Sequence, residues 1–176
     1  MKLEIRFGGF GGQGVILASV LLGKAVILEG KNAIQNEVYG PEKRGSLLRS
    51  DIIISDGEEI NYAIINKADV LVAFSEKAIE DNEANIKVQG TIIIDSQVVN
   101  PKILTRNDII LQDIPALDLA EKIGNKLVYN VIFLGYLCKL KKIVQLESLY
   151  AVLEKTVKRK YFEINKKGIE EGYNYH

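Results

Sequence analysis

Five glycines fall within seven positions in the segment Gly8-Gly9-Phe10-Gly11-Gly12-Gln13-Gly14. A short strand pattern, Leu3, Ile5 and Phe7, runs into them, and an apolar helical pattern follows at once. Gly9, Gly11 and Gly14 fit the G-x-G-x-x-G spacing between a strand and a helix. A tight strand-to-helix turn asks for positive φ at some positions and for close backbone approach at others. The helix start then offers unpaired N–H groups and a positive dipole end, which suit an anion. Gln13 stands at that start, and its amide can donate and accept at once, toward a phosphate or toward neighbouring backbone. Gly9, Gly11, Gly12, Gln13 and Gly14 are therefore candidate ligand-binding residues. Close glycine packing with no ligand is the competing reading.

The usual chemistries of such a loop are incomplete here. A dinucleotide site asks for an acid about 20 residues on, at the end of the second strand. Gln35 or Asn36 holds that place, and Glu37 lies slightly beyond it. A nucleotide-binding P-loop asks for Gly-Lys-Ser/Thr after the glycines, which is absent. A second constellation, Tyr39, Gly40, Pro41, Glu42, Arg44 and Gly45, follows the second strand. In an open α/β sheet, loops at strand carboxyl ends share one edge, so this loop is expected near the glycine turn. Arg44 offers a planar fork for carboxylate or phosphate, and Glu42 could orient it. From residue types alone, a turn with solvated charges is the better explanation of these residues.

Nucleophilic and metal chemistry find little support. The single cysteine, Cys138, lies in an apolar helical run and reads as a small hydrophobe. The single histidine is the last residue, His176. No catalytic residue, metal site or cluster site is assigned to this chain alone, since zinc and iron–sulfur sites need several Cys or His ligands. Lys+Arg and Asp+Glu number 23 each, so no overall field draws in nucleic acid. The basic run Lys155, Lys158, Arg159, Lys160, Lys166 and Lys167 is interspersed with glutamates and reads as a solvated helix face. No leader pattern and no apolar stretch of membrane length is seen, so a cytoplasmic protein away from membranes is expected.

The elements that must position these residues alternate. Strands are expected at 2–7, 32–37, 47–54, 69–75, 91–95 and 109–111. Helices are expected at 13–29 and 76–84, then at 115–123, 129–142, 146–158 and 160–171. This order argues for a three-layer Rossmann-like α/β fold with helices on both faces and a helical C-terminal third. The connection before 47–54 is too short for a crossover helix, so that strand is expected antiparallel in a mostly parallel, mixed sheet. One domain, 1–176, is expected. Leu146, Leu149, Tyr150, Leu153, Val157 and Phe162 exceed what one groove hides. Exposed apolar surface on the tail and self-association of the isolated chain are therefore expected.

Taken together, Gly9-Phe-Gly-Gly-Gln-Gly-Val15, Lys31 to Gln35, Tyr39-Gly-Pro-Glu-Lys-Arg-Gly45, Arg49 to Ser55 and Asn66 to Val72 resemble the gamma subunit of 2-oxoacid:ferredoxin oxidoreductases. So do Ala120 to Asn130, Leu134-Gly135 and Asn165 to Gly172. Ser46 departs from the family, which usually has a second Gly there. The segment Asn36 to Gly45 looks most like the 2-oxoglutarate type, with pyruvate, 2-ketoisovalerate and indolepyruvate types as relatives.

The resemblance implies oxidative decarboxylation of a 2-oxoacid to an acyl-CoA, with electrons passed to ferredoxin. Thiamine diphosphate and iron–sulfur clusters belong to partner subunits, alpha, beta and delta. This chain is left with assembly and a wall of the coenzyme A path. The glycine turn with Tyr39, Glu42 and Arg44 is its candidate site. A free-standing dinucleotide-binding protein and a ligand-free assembly module are the alternatives. If Arg44 faces the CoA phosphates, Arg44→Ala in the assembled enzyme lowers CoA affinity by about one to two orders of magnitude and spares the 2-oxoacid half-reaction. Lost subunits with unchanged CoA affinity in the remaining complex would make Arg44 an assembly residue. Gly11→Ala is expected instead to harm folding, on the premise that Gly11 needs positive φ.

Overall fold

The computed structural model describes residues 2–40 and 47–176. Pro41, Glu42, Lys43, Arg44, Gly45 and Ser46 lie outside the described residues. The chain runs β1 (Lys2–Phe10), α1 (Val15–Leu28), β2 (Asn32–Tyr39), β3 (Leu47–Ser55), β4 (Ala68–Ala73), α2 (Glu76–Asn82), β5 (Ile86–Ile94) and β6 (Ile110–Asp113). Four α-helices follow: α3 (Ala116–Ile123), α4 (Tyr129–Lys141), α5 (Leu146–Thr156) and α6 (Phe162–Asn174). The strands form one six-stranded sheet in the order β2-β3-β1-β4-β5-β6. β3 is antiparallel to both β1 and β2, while β1, β4, β5 and β6 pair in parallel. The mixed sheet expected from the short connection is present.

Alternation along the strands sorts side chains between two faces. Ile5, Phe7, Ile52, Ile54, Val70, Val72 and Ile93 point into a core shared with α1, α3, α4, α5 and α6. Ile53, Leu71, Ile92 and Ile94 point the other way, against Ala78 and Ile79 of α2 and the loop residues Ile65 and Val99. The two helical layers are therefore unequal. β1 is longer than the sequence pattern suggested and runs through Gly8 and Gly9 to Phe10. The reason is β3, which pairs with it residue by residue as far as Phe10 opposite Leu47.

The helical tail differs from expectation in one respect. Leu149 and Leu153 are fully buried, and Leu146, Tyr150, Val157 and Phe162 pack partly buried against the main core. Two grooves hide them rather than one, because α5 packs on α1 while α6 packs on α4. The α4–α6 crossing is unusually close. A Cβ on Gly135 would sit 2.1 Å from the Ile169 carbonyl oxygen, and one on Gly172 would sit 1.9 Å from that of Ile132. Among the described residues no helix is long and apolar enough to cross a membrane.

Under α2 lies a buried ion pair. Arg6 and Asp51 face each other across β1 and β3, each only 1% exposed. The Arg6 Nε and Nη2 atoms each donate to an Asp51 oxygen at 2.8 Å. Nη2 also donates to the Ile65 carbonyl at 2.9 Å, and Nη1 donates to Asn82 Oδ1 of α2 at 3.2 Å. Removing the carboxylate would strand a buried guanidinium. Asp51→Ala is expected to cost about 3–5 kcal/mol. For a chain of this size that lowers the melting temperature by roughly 6–20 °C. Arg6→Met with Asp51→Leu should recover much of the loss. Thermal denaturation followed by circular dichroism checks both, and an unchanged midpoint in the single variant would contradict the assignment.

Candidate functional site

The glycine turn sits at a switch in the sheet. α1 leaves β1 toward one face, whereas α2 leaves the neighbouring parallel strand β4 toward the other. Such a divergence opens a crevice at the carboxyl ends of the two strands, where open α/β sheets bind ligands. The glycines serve different purposes. Gly8 lets α2 approach, since a Cβ there would lie 2.9 Å from the Ala78 Cβ. Gly9 does the same for Phe74, whose Cβ would lie 2.9 Å away. Gly12 and Gly14 adopt φ of 94° and 78°, in the left-handed region. Gly11 has no such constraint, and a Cβ there meets nothing within 4 Å. The premise that Gly11 needs positive φ is thus corrected: the turn places that demand on Gly12 and Gly14.

Two side-chain amides clamp the turn. Gln13 Oε1 accepts the Phe10 N–H at 2.6 Å, and its Nε2 donates to the Phe74 carbonyl at 3.0 Å. Gln13 therefore spans the crevice from the end of β1 to the end of β4, serving neighbouring backbone. Asn130, buried near the start of α4, donates from Nδ2 to the Gly14 carbonyl at 3.1 Å. Gly14 caps α1 in the left-handed conformation without a side-chain cap, and no acid occupies the first helical turn. The first N–H groups of α1 keep their capacity for an acceptor.

Beside this helix start lies a cavity of about 440 Å³, lined by Gly12, Gln13, Gly14, Leu17, Val98, Leu117, Lys126, Leu127, Tyr129 and Asn130. Asp95, fully buried just past the end of β5, lies behind the segments that supply Val98 and Leu117 to this lining. Its carboxylate accepts the N–H groups of Gln97 at 3.0 Å and Leu117 at 2.7 Å, which sets the course of both segments. Burial holds the Asp95 carboxyl above its ordinary value. Tyr129 packs its ring against Phe74 and Phe133. Its hydroxyl is buried with no partner among the described residues, and burial pushes its pKa up. Cys138 is likewise buried, which raises its thiol pKa and suits an inert packing role.

The candidate residues are not all brought together. Gly12, Gln13 and Gly14 line the cavity, Gly9 lies beneath it against Phe74, and Gly11 is exposed at the tip. Tyr39 lies elsewhere. It stands level with Leu48, which stands level with Gly9, so β3 separates it from the turn. Two strand spacings amount to about 10 Å. Tyr39 is 59% exposed, and its hydroxyl donates to Glu37 Oε2 at 2.6 Å, a bond that raises its pKa. Glu42 and Arg44 lie outside the described residues. Inserting β3 also carries the end of β2 away from the glycine turn, so an acid there would miss a ribose held at β1. Sequence reading missed Asn130, Lys126 and Asp95. Asn130 is a lone polar residue in an apolar helical run, and that was its available signal.

The family model described as pyruvate ferredoxin/flavodoxin oxidoreductase matches residues 4–175, and the chain belongs to this family. A 2-oxoglutarate synthase subunit, KorC, from Methanocaldococcus jannaschii is 37% identical over 98% of this chain and 93% of its own length. The common gamma subunit of pyruvate/ketoisovalerate oxidoreductases from Thermococcus kodakarensis is 28% identical, over 98% of this chain and 96% of its own. Among solved structures, the gamma subunit of a keto/oxoacid ferredoxin oxidoreductase from Geobacter sulfurreducens superimposes with a TM-score of 0.83 at 32% identity, over 97% of this chain and 96% of that one. A 2-oxoglutarate:ferredoxin oxidoreductase from Magnetococcus marinus, solved with 2-oxoglutarate, coenzyme A and succinyl-CoA, shares the fold at TM-score 0.87 and 23% identity. There the match covers 97% of this chain but 30% of that longer one.

The roles of the glycines are separable by stability. Gly14→Ala would bring a Cβ to 2.4 Å from Asn130 Nδ2 at a left-handed position. It should cost about 2 kcal/mol or more. Gly11→Ala should change stability by less than about 0.5 kcal/mol. Urea denaturation of the two variants tests this, and the reverse order would refute the account of the turn.

Proposed function

We propose that this chain is the gamma-type subunit of a multisubunit 2-oxoacid:ferredoxin oxidoreductase, of the type acting on 2-oxoglutarate. The observation that carries the reading is the 37% identity to a 2-oxoglutarate synthase subunit across 98% of the chain. Among the described residues no cluster of His, Cys, Asp or Glu could hold a metal, and the cavity at the glycine turn holds no acid–base pair. The chain's own part in the reaction is then binding and placement. Thiamine diphosphate and iron–sulfur clusters belong to the alpha, beta and delta partners, which also deliver electrons to ferredoxin.

The cavity suits one wall of a coenzyme A path. The open N–H groups of α1 offer an anion a partner, and the Lys126 ammonium beside them, which pairs with Glu121 Oε1 at 2.8 Å, is a second that an anion would share with that carboxylate. Leu17, Leu117 and Leu127 offer apolar surface beside them. A ligand that combines phosphate with an uncharged arm meets both. Gln13 and Asn130 hold the turn rigid, so the donors are in place before the ligand arrives.

Reconstitution tests the reading. The isolated chain should not reduce a viologen dye with any 2-oxoacid, CoA and thiamine diphosphate. Co-produced with its partner subunits, it should support CoA-dependent reduction with 2-oxoglutarate ahead of pyruvate and 2-ketoisovalerate. Turnover by the single polypeptide would overturn the subunit assignment. Preference of the complex for another 2-oxoacid would overturn the type.

A further inference from the structure

α1 is apolar around its whole circumference. Ser19 and Lys24 are the only polar side chains among its 14 residues. Its inner face, including Leu21, Leu22 and Val26, is buried against the sheet and the helical layer. Its outer face consists of Ile16, Leu17, Val20, Lys24, Ile27 and Leu28, all partly or largely open to solvent. Ile27 and Leu28 are 58% and 53% exposed. A surface helix normally turns charge outward, and one that is apolar on every side is normally enclosed. α5, packed beside it, follows the normal pattern with Glu147, Glu154 and Lys155.

Between α1 and α5 the outer face deepens into a groove of about 310 Å³. Ile27, Leu28, Ala151 and Val152 supply its apolar surface, and Lys24 and Lys155 stand in its lining with no acidic residue among them. Lys158, Arg159 and Lys160 follow immediately past the end of α5 and are exposed. Glu29 and Glu154, close by in sequence, stand outside this lining. Glu29 is held by Lys31 at 2.9 Å and by the Gln145 N–H at 2.6 Å, and Glu154 lines a separate cavity with Arg159 and Phe162. Of the basic run, Lys155 alone stands in the lining of the trough; Lys158, Arg159 and Lys160 are solvated beyond its end.

We infer that the outer face of α1 and its groove with α5 are a docking surface for another subunit of the complex, which lays an amphipathic helix with acidic flanks into it. The apolar stripe fits the knobs of one helix face, and the unopposed lysines call for carboxylates on either side of that stripe. This rests on the subunit reading given above. The surface lies on the far side of α1 from the sheet; its groove shares no residue with the proposed coenzyme A wall, and only Leu17 at the helix start belongs to both faces.

The test uses the full complex, captured through a tag on a partner subunit. Ile27→Gln with Leu28→Gln should reduce retention of this chain by roughly tenfold to a hundredfold, since two large apolar contacts are lost. The same variant alone should melt within about 2 °C of the parent, because both side chains are exposed. Lys24→Glu with Lys155→Glu should weaken retention at low salt and abolish its salt dependence. Undiminished retention of both variants would overturn the proposal while leaving the subunit reading intact. Failure of the parent chain to be captured at all would overturn both. A dimer of the isolated chain that the glutamine variant abolishes would assign the face to a second copy and reject the proposal. Anionic phospholipid vesicles that bind the parent chain but not that variant would assign it to a membrane surface and reject it equally.

Discussion

The antiparallel insertion of β3 between β1 and β2 is the constraint on which the rest of the architecture depends, and the Arg6–Asp51 pair fixes its register. The two residues stand directly opposite each other, and the guanidinium also reaches Asn82 of α2 and the Ile65 carbonyl. Sliding β3 by one residue would break this pair and turn Ile52 and Ile54 away from the main core. A buried ion pair contributes little net stability against an apolar alternative. Its effect here is to make one register much better than its neighbours and to dock α2 over the same strands.

That register has a functional consequence. With β3 in place, β1 meets β4 on its other side, and the helices following these two strands diverge to opposite faces. The crevice that results is bridged by Gln13 and steadied from α4 by Asn130. A mononucleotide half of the ordinary dinucleotide fold sets β2 beside β1. This chain does not, so its glycine turn shares a motif with dehydrogenases but lacks their ribose-reading geometry. The turn keeps what is common to both arrangements, a helix start open to an anion.

The helical layer is built for closeness on the inside and for contact on the outside. Gly135 and Gly172 allow α4 and α6 to cross backbone against backbone, which leaves α5 to cover part of α1. The apolar side chains of the tail are consumed in these two packings. What stays open is the outer face of α1, a helix with too few polar groups to face water by design.

Much of the fold was legible in the chain because its signals are local. Alternating Leu3, Ile5 and Phe7 placed β1, a continuous apolar run placed β4, and a loop too short for a crossover made β3 antiparallel. The glycine cluster between a strand and a helix located the turn. Only the tertiary structure decided what the residues of that turn do. Gln13 finds Phe74 and Asn130 finds Gly14 across separations of 61 and 116 residues, which no periodicity records. Gly11 looked like its neighbours in sequence, yet its environment is empty while those of Gly9 and Gly14 are crowded. Tyr39 looked close to the turn, yet an intervening strand holds it apart. Local pattern is set by the chain's own repeat, whereas the company a side chain keeps is set by which distant segments the sheet order brings beside it.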